Sequence, residues 1–166
     1  MNYIAQGATV FITLLCVVTP FHASAARLSY GDPTLVQRPE LSSTVALPVL
    51  LTLDNKECIN AADISLVIPQ SAFTYLKHNN SESPFSLWLY SDYDSDTGSV
   101  HLVAGNPQPI CGGQRGTTFT IANLEVAIKN PGTLSFDEDS EVTLSDGYGT
   151  NAPLEFMPRS FASVPR

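Results

Sequence analysis

The sequence predicts an all-β sandwich, on three observations. Turn residues punctuate apolar runs about every 8 to 12 positions after residue 25. No window in that region combines a helical hydrophobic period with caps. The third observation is the stretch from Cys111 to Ile128, C-G-G-Q-R-G-T-T-F-T-I-A-N-L-E-V-A-I. Its three glycines permit turn geometries that other residues resist, and they feed a β-branched and aromatic run that reads as a core strand. The alternation in that run breaks: Phe119 and Ile121 share one parity, whereas Ala122, Leu124, Val126 and Ile128 share the other. A straight strand would send half of this apolar set to solvent, so a β-bulge is expected between Ile121 and Asn123.

The other elements follow in order. Arg27 to Tyr30 reads as a short first strand ended by Gly31-Asp32-Pro33, with Thr34 to Gln37 continuing it past that break. Thr44 to Asp54 is a long apolar strand containing Pro48; proline cannot donate to a ladder, so the strand is expected to lie at a sheet edge or to bulge there. Asn60 to Ile68 alternates at Ile64, Leu66 and Ile68, and Pro69 stops it. Ala72 to Leu76 fits either a strand or one helical turn, and Lys77 to Pro84 reads as a surface loop. Phe85 to Tyr90 and Ser99 to Val103 form an expected hairpin joined by Ser91 to Gly98, followed by an irregular N-P-Q-P-I segment. Asn130-Pro131-Gly132 turns the core strand into Thr133 to Phe136, and Glu141 to Leu144 and Leu154 to Phe156 close the sheet.

Residues 1–25 read as a signal peptide, with the apolar run Val10 to Val18 and the small-x-small site Ala23-Ser24-Ala25, so cleavage is expected after Ala25. The apolar run is shorter than the ~18 residues a membrane span needs. Residues 26–157 form one domain and residues 158–166 a short tail without a further element. All 16 acidic and 8 basic residues lie beyond residue 25, so the mature net charge is −8, with no Lys/Arg cluster. Nucleic acid and anionic membrane surfaces are poor partners for such a field. Export leaves two cysteines, Cys58 and Cys111, in an oxidising compartment, where a single disulfide between them is expected.

Asp92, Asp94 and Asp96 with Gly98 form D-Y-D-S-D-T-G, which invites a calcium reading because alternating carboxylates can converge on one hard cation. The competing reading is a solvated hairpin tip: an EF-hand would place Gly where Thr97 stands and Glu where Val103 stands. Asp137, Glu138, Asp139 and Glu141 read as a second solvated acidic loop. There is no G-x-S-x-G elbow and no H-E-x-x-H pair, so enzymatic chemistry is not expected. Phe85, Leu87 and Leu89 share one parity and Ser86, Trp88 and Tyr90 the other, so one apolar face must be covered or bind something. Trp88, Tyr90 and Tyr93 could form an aromatic platform for sugar faces or partner side chains, although core packing is the commoner fate of a lone tryptophan in a sandwich.

The ordered segments T-V-A-L-P-V (Thr44 to Val49), I-N-A-A-D-I-S-L-V-I-P (Ile59 to Pro69), D-Y-D-S-D-T-G-S-V-H-L, G-T-T-F-T-I-A-N-L-E-V (Gly116 to Val126), P-G-T-L-S-F and V-T-L-S-D-G-Y-G resemble the cohesin domain of bacterial extracellular assemblies. The resemblance covers about residues 27–156. It implies an immunoglobulin-like jelly-roll sandwich of about nine strands, and a face that receives a dockerin module on a partner protein, with calcium held by the dockerin.

The expected function is therefore a secreted, extracellular or periplasmic, non-catalytic module that binds a dockerin-type protein or a polysaccharide. Trp88, Tyr90, Asp92, Asp94 and Asp96 are the expected contacts. No cofactor is expected beyond the calcium reading at Asp92, Asp94 and Asp96. The competing reading is a pilus or adhesin subunit completed by a donated strand, which requires an unpaired groove beside the Pro48 strand.

Overall fold

Strand-period alternation dominates the chain, and two sheets result. The computed structural model describes residues 26–38, 41–54, 56–113 and 116–162; the expected signal peptide, residues 1–25, lies outside the described residues. The first sheet contains β1 (Ala26–Tyr30), β2 (Thr34–Arg38), β3 (Leu41–Leu53), β5 (Phe73–Asn79), β8 (Thr117–Ile128) and β11 (Leu154–Met157). Its order is β11-β1-β3-β8-β5, with β2 also paired to β3. The second sheet contains β4 (Cys58–Val67), β6 (Leu87–Asp94), β7 (Ser99–Cys111), β9 (Gly132–Phe136), β10 (Glu141–Leu144) and β12 (Arg159–Phe161), in the order β12-β9-β4-β7-β6 with β10 also on β4. The pair β1–β11 is parallel and the other pairings are antiparallel.

The expected bulge in β8 is present, and its register shows why it exists. Val49 of β3 pairs with Ala122 and Leu50 pairs with Thr120, which leaves Ile121 as the extra residue. The insertion lets Ile121, Ala122, Leu124 and Val126 all be buried despite their mixed parity.

Pro48 corrects one expectation and satisfies another. The strand that carries it is interior, with β8 on one side and β1 and β2 on the other. Pro48 is tolerated because β1 ends at the Tyr30–Val49 pair and β2 begins at the Thr34–Ala46 pair, so the missing donor falls in the gap between them. There the Pro48 carbonyl accepts from Gly31 N at 2.8 Å. The predicted break at Gly31-Asp32-Pro33 is thus real, and β1 and β2 run on along the same flank of β3.

Other boundaries differ from expectation. The strand count is twelve among the described residues rather than about nine, partly because β1/β2 and β9/β10 each divide one flank of a longer strand. Lys77, His78 and Asn79 belong to β5, held by pairing with Glu125, Leu124 and Asn123. The segment after Gly105 continues β7 to Cys111 and rejoins β4 beyond a register shift between Ile59 and Ala61. Residues 159–161, read as tail, form β12 against β9.

Between the sheets lies one core. Leu47, Val49, Leu51 and Leu53 of β3, Ile64 and Leu66 of β4, Val100 and Leu102 of β7, and Leu124 and Val126 of β8 are buried essentially completely. Each such side chain contributes about 1.5–3 kcal/mol by leaving water. Tyr30 lies stacked on Phe136 with ring centroids 4.7 Å apart, and its hydroxyl donates to the Ser135 carbonyl at 3.0 Å, tying the two sheets together.

Candidate functional site

The outward faces of the two sheets are chemically different, and the difference locates the site. On the first sheet, charged and polar groups find partners among themselves. Arg27 pairs with Glu155 at 2.8 Å; Arg38 and Lys77 both pair with Glu125, at 2.6 and 3.0 Å. Thr52 and Thr118 share a hydrogen bond at 2.8 Å, and Asn123 donates to Glu82 at 3.0 Å. Burial pushes the Glu125 carboxyl up, but its bonds to Lys77 and Arg38 outweigh this and hold it below the usual range.

On the second sheet only β12 carries a Lys or Arg, Arg159, which pairs with Asp32 at 3.6 Å; β4, β6, β7, β9 and β10 contain none. Cross-strand pairing sets its outer rows. Asp92 lies beside His101, which lies beside Ser65; Tyr90 lies beside Val103, which lies beside Asp63; Leu87 lies beside Gly105, which lies beside Ala61. Leu89 is 80% exposed, Leu87 53% and Tyr90 48%. Around this apolar strip stand Asp63, Asp92, Asp94 and Glu141, all exposed. His101 Nε2 lies 2.6 Å from Asp63 Oδ1, and its ring lies 5.2 Å from that of Tyr90.

The expected contact residues are divided by this arrangement. A register shift between Trp88 and Tyr90 makes Leu89 the bulged residue of β6. Trp88 is therefore turned inward, half-buried against the core and edge-on to Phe85 at 6.4 Å. Tyr90 and Asp92 are on the outer face with Leu87, whereas Trp88 is not. Tyr93 also turns inward and stacks on Tyr75 across the edge of the sandwich, centroids 4.0 Å apart. Trp88 thus takes the core-packing reading, and Trp88, Tyr90 and Tyr93 do not form one platform. Leu89 and His101 belong to the face although the sequence reading did not choose them; the missed signal was the consecutive apolar run Leu87-Trp88-Leu89-Tyr90, which violates alternation as the run at Ile121-Ala122 does.

The three aspartates are placed by turn chemistry. Asp94 Oδ1 accepts from Asp96 N and Oδ2 from the Thr97 hydroxyl, both at 2.8 Å, and these bonds hold the Asp94 carboxyl below its ordinary value. Asp92 Oδ1 accepts from Tyr93 N at 2.8 Å. The carboxylates close a hairpin turn rather than converge: among the described residues no three His, Cys, Asp or Glu side chains are grouped to hold a metal ion. Glu138, Asp139 and Glu141 line an open groove of about 460 Å³ with Asn151, Leu154 and Phe156, and all three carboxylates are exposed.

On the outward side of the same sheet, since Ile59 and Ile110 beside them turn into the core, the disulfide expected between Cys58 and Cys111 is formed and staples the ends of β4 and β7. The apolar strip lies on β6, which pairs with β7, one of the two covalently joined strands. Such a surface suits a partner with an apolar centre and a cationic rim.

No family model and no curated protein sequence matches the chain. Solved structures do. The seventh ScaB type I cohesin of Pseudobacteroides cellulosolvens aligns over 84% of this chain and 94% of its own, with TM-score 0.60 at 17% identity. The chain has the cohesin fold. A cohesin module from a Clostridium perfringens family 33 glycoside hydrolase aligns over 84% of this chain and 96% of its own, with TM-score 0.58 at 12% identity. The sixth cohesin of Acetivibrio cellulolyticus scaffoldin B, solved in complex with a Cel5 dockerin mutant, aligns over 81% and 96%, with TM-score 0.56 at 18% identity. On this cohesin sandwich, the apolar strip occupies the outward side of the β4–β7–β6 layer. Among the described residues no helix is long and apolar enough to cross a membrane.

Proposed function

We propose that this chain is a secreted, non-catalytic cohesin-type module that binds a dockerin-type protein through the outer face of β4, β7 and β6. The observation that carries the reading is the exposed strip of Leu87, Leu89 and Tyr90 in a frame of exposed carboxylates without a Lys or Arg partner among the described residues, on a fold whose solved relatives include a dockerin complex. Burying Leu89 against a partner releases apolar surface from water, while Asp63, Asp92 and Asp94 steer cationic side chains into register. His101, bonded to Asp63, is positioned to help fix that carboxylate's orientation.

The pilus or adhesin alternative loses its structural requirement, since the Pro48 strand is paired on both flanks. Titration calorimetry against a panel of purified dockerins tests the reading. Binding by at least one of them, weakened about tenfold or more by Leu89→Ala, is the expected result. Retention of the chain by none of the panel overturns it. Export is tested separately: N-terminal sequencing of the mature protein from its host should begin at Ala26.

A further inference from the structure

A second site lies at the edge of the sandwich, formed on the inward-turned side of β6 rather than on its outer docking face. There the edge strands β5 and β6 of opposite sheets approach each other around a hollow of about 250 Å³, lined by Gln70, Phe73, Thr74, Tyr75, Tyr93, Ser95 and Lys129. Buried Phe73 closes the floor of the hollow, and the partly exposed rings of Tyr75 and Tyr93, stacked on each other, form part of its wall. We infer that this hollow binds one pyranose unit of a polysaccharide.

The frame is rigid for reasons visible in its bonds. Gly98, at a left-handed φ of 71° and buried, presents its carbonyl to Ile68 N at 2.8 Å; an added Cβ there would meet the Ile68 carbonyl at 2.8 Å. Gln70 Nε2 donates to the Ser95 carbonyl at 2.5 Å, joining the β4–β5 turn to the β6–β7 turn. Lys129 Nζ donates to the Gln70 carbonyl, and Lys129 N and Asn130 N donate to the Ala72 carbonyl. The Tyr75 hydroxyl is committed to His78 Nδ1 at 2.8 Å, whose Nε2 lies 2.8 Å from Ser91 Oγ on β6. These contacts fix both walls before any ligand arrives, which lowers the ordering cost of binding.

What the frame leaves over suits a sugar. Within the lining, the hydroxyls of Tyr93, Thr74 and Ser95 and the Oε1 of Gln70 have no protein partner among the described contacts, and Lys129 keeps donor capacity beyond its one bond. Several mixed donor–acceptor groups beside aromatic rings match alternating hydroxyls and C–H faces of a pyranose. The volume suits one ring rather than a larger cofactor. Lys129 is the one charged lining residue, so a sugar carboxylate would gain where a phosphate-rich or cationic ligand has too little to bind.

The test needs no dockerin, so its outcome is separate from that of the docking reading. The ¹⁵N-labelled mature protein is titrated by NMR with soluble oligomers of cellulose, xylan and polygalacturonate. Saturable shifts on Thr74, Tyr75, Tyr93, Ser95 and Lys129 with at least one oligomer are expected, and preference for the galacturonate arm would identify the sugar carboxylate as its source of affinity. Tyr93→Phe and Thr74→Val keep the ring and the side-chain shape and remove only free hydroxyls; each should weaken binding about three- to tenfold without changing Tm. Leu89→Ala should leave sugar binding unchanged. No shift with any oligomer, shifts confined to the Leu87–Tyr90 strip, or unchanged affinity in both hydroxyl variants overturns the assignment.

Discussion

Cys58 and Cys111 stand directly opposite one another in the β4–β7 register, with Cα atoms 4.0 Å apart and their sulfurs bonded. The bond closes a loop over a sequence separation of 53 and so restricts the unfolded chain. Cys58→Ala should cost about 4 kcal/mol on the chain-entropy account. Urea denaturation of the variant and of reduced wild type measures the loss; equal midpoints for oxidised and reduced protein would refute it.

Tyr30 joins the sheets at the other flank. Burial raises its hydroxyl's pKa far above the ordinary tyrosine range, and its hydrogen bond to the Ser135 carbonyl satisfies the buried donor. Tyr30→Phe should lose about 1 kcal/mol, and Tyr30→Ala about 3–5 kcal/mol as the Phe136 stack opens. The folded-state pKa lies above the unfolded value near 10. The stabilisation is therefore complete below that pH and is lost as pH rises above it, so Tm should fall from about pH 10 upward, less steeply in Tyr30→Phe.

His78 gives an acid-side counterpart. Burial lowers its pKa, against opposing effects of Asp92 and the Ser91 hydrogen bond, while Tyr75 holds its other nitrogen. A depressed folded-state pKa stabilises above the unfolded value near 6.5 and is lost as pH falls through the folded value. Tm should therefore decline as pH drops below about 6.5, and His78→Gln should flatten that part of the profile. A wild-type Tm that is level from neutral pH down to the carboxylate range would contradict this.

Much of the architecture was legible because burial enforces period two. The broken parity at Ile121-Ala122 announced a bulge, and the register contains it. The same signature at Leu87-Trp88-Leu89-Tyr90 placed Trp88 inside and Leu89 outside, yet read without a bulge it put Trp88 and Tyr90 on one face. Pro48 was harder: whether a proline sits at an edge depends on where the neighbouring strand breaks, and that is a property of Gly31 and Thr34, distant in sequence from it. Short β12 carries too little pattern to be seen alone and exists because β9 offers it a free flank. The hollow between β5 and β6 was illegible for a related reason, since it is assembled from five separate turns and strands that only the sandwich brings together.

The most direct measurement is NMR chemical-shift mapping of the ¹⁵N-labelled mature chain titrated with a dockerin that binds it, repeated for Leu89→Arg. The account predicts shifts on Leu87, Leu89, Tyr90, Asp92, Asp94, His101, Val103 and Asp63, all abolished in the variant. Shifts gathered instead on Arg27, Thr52, Thr118 and Glu155 of the opposite sheet, or undiminished binding by Leu89→Arg, would contradict it.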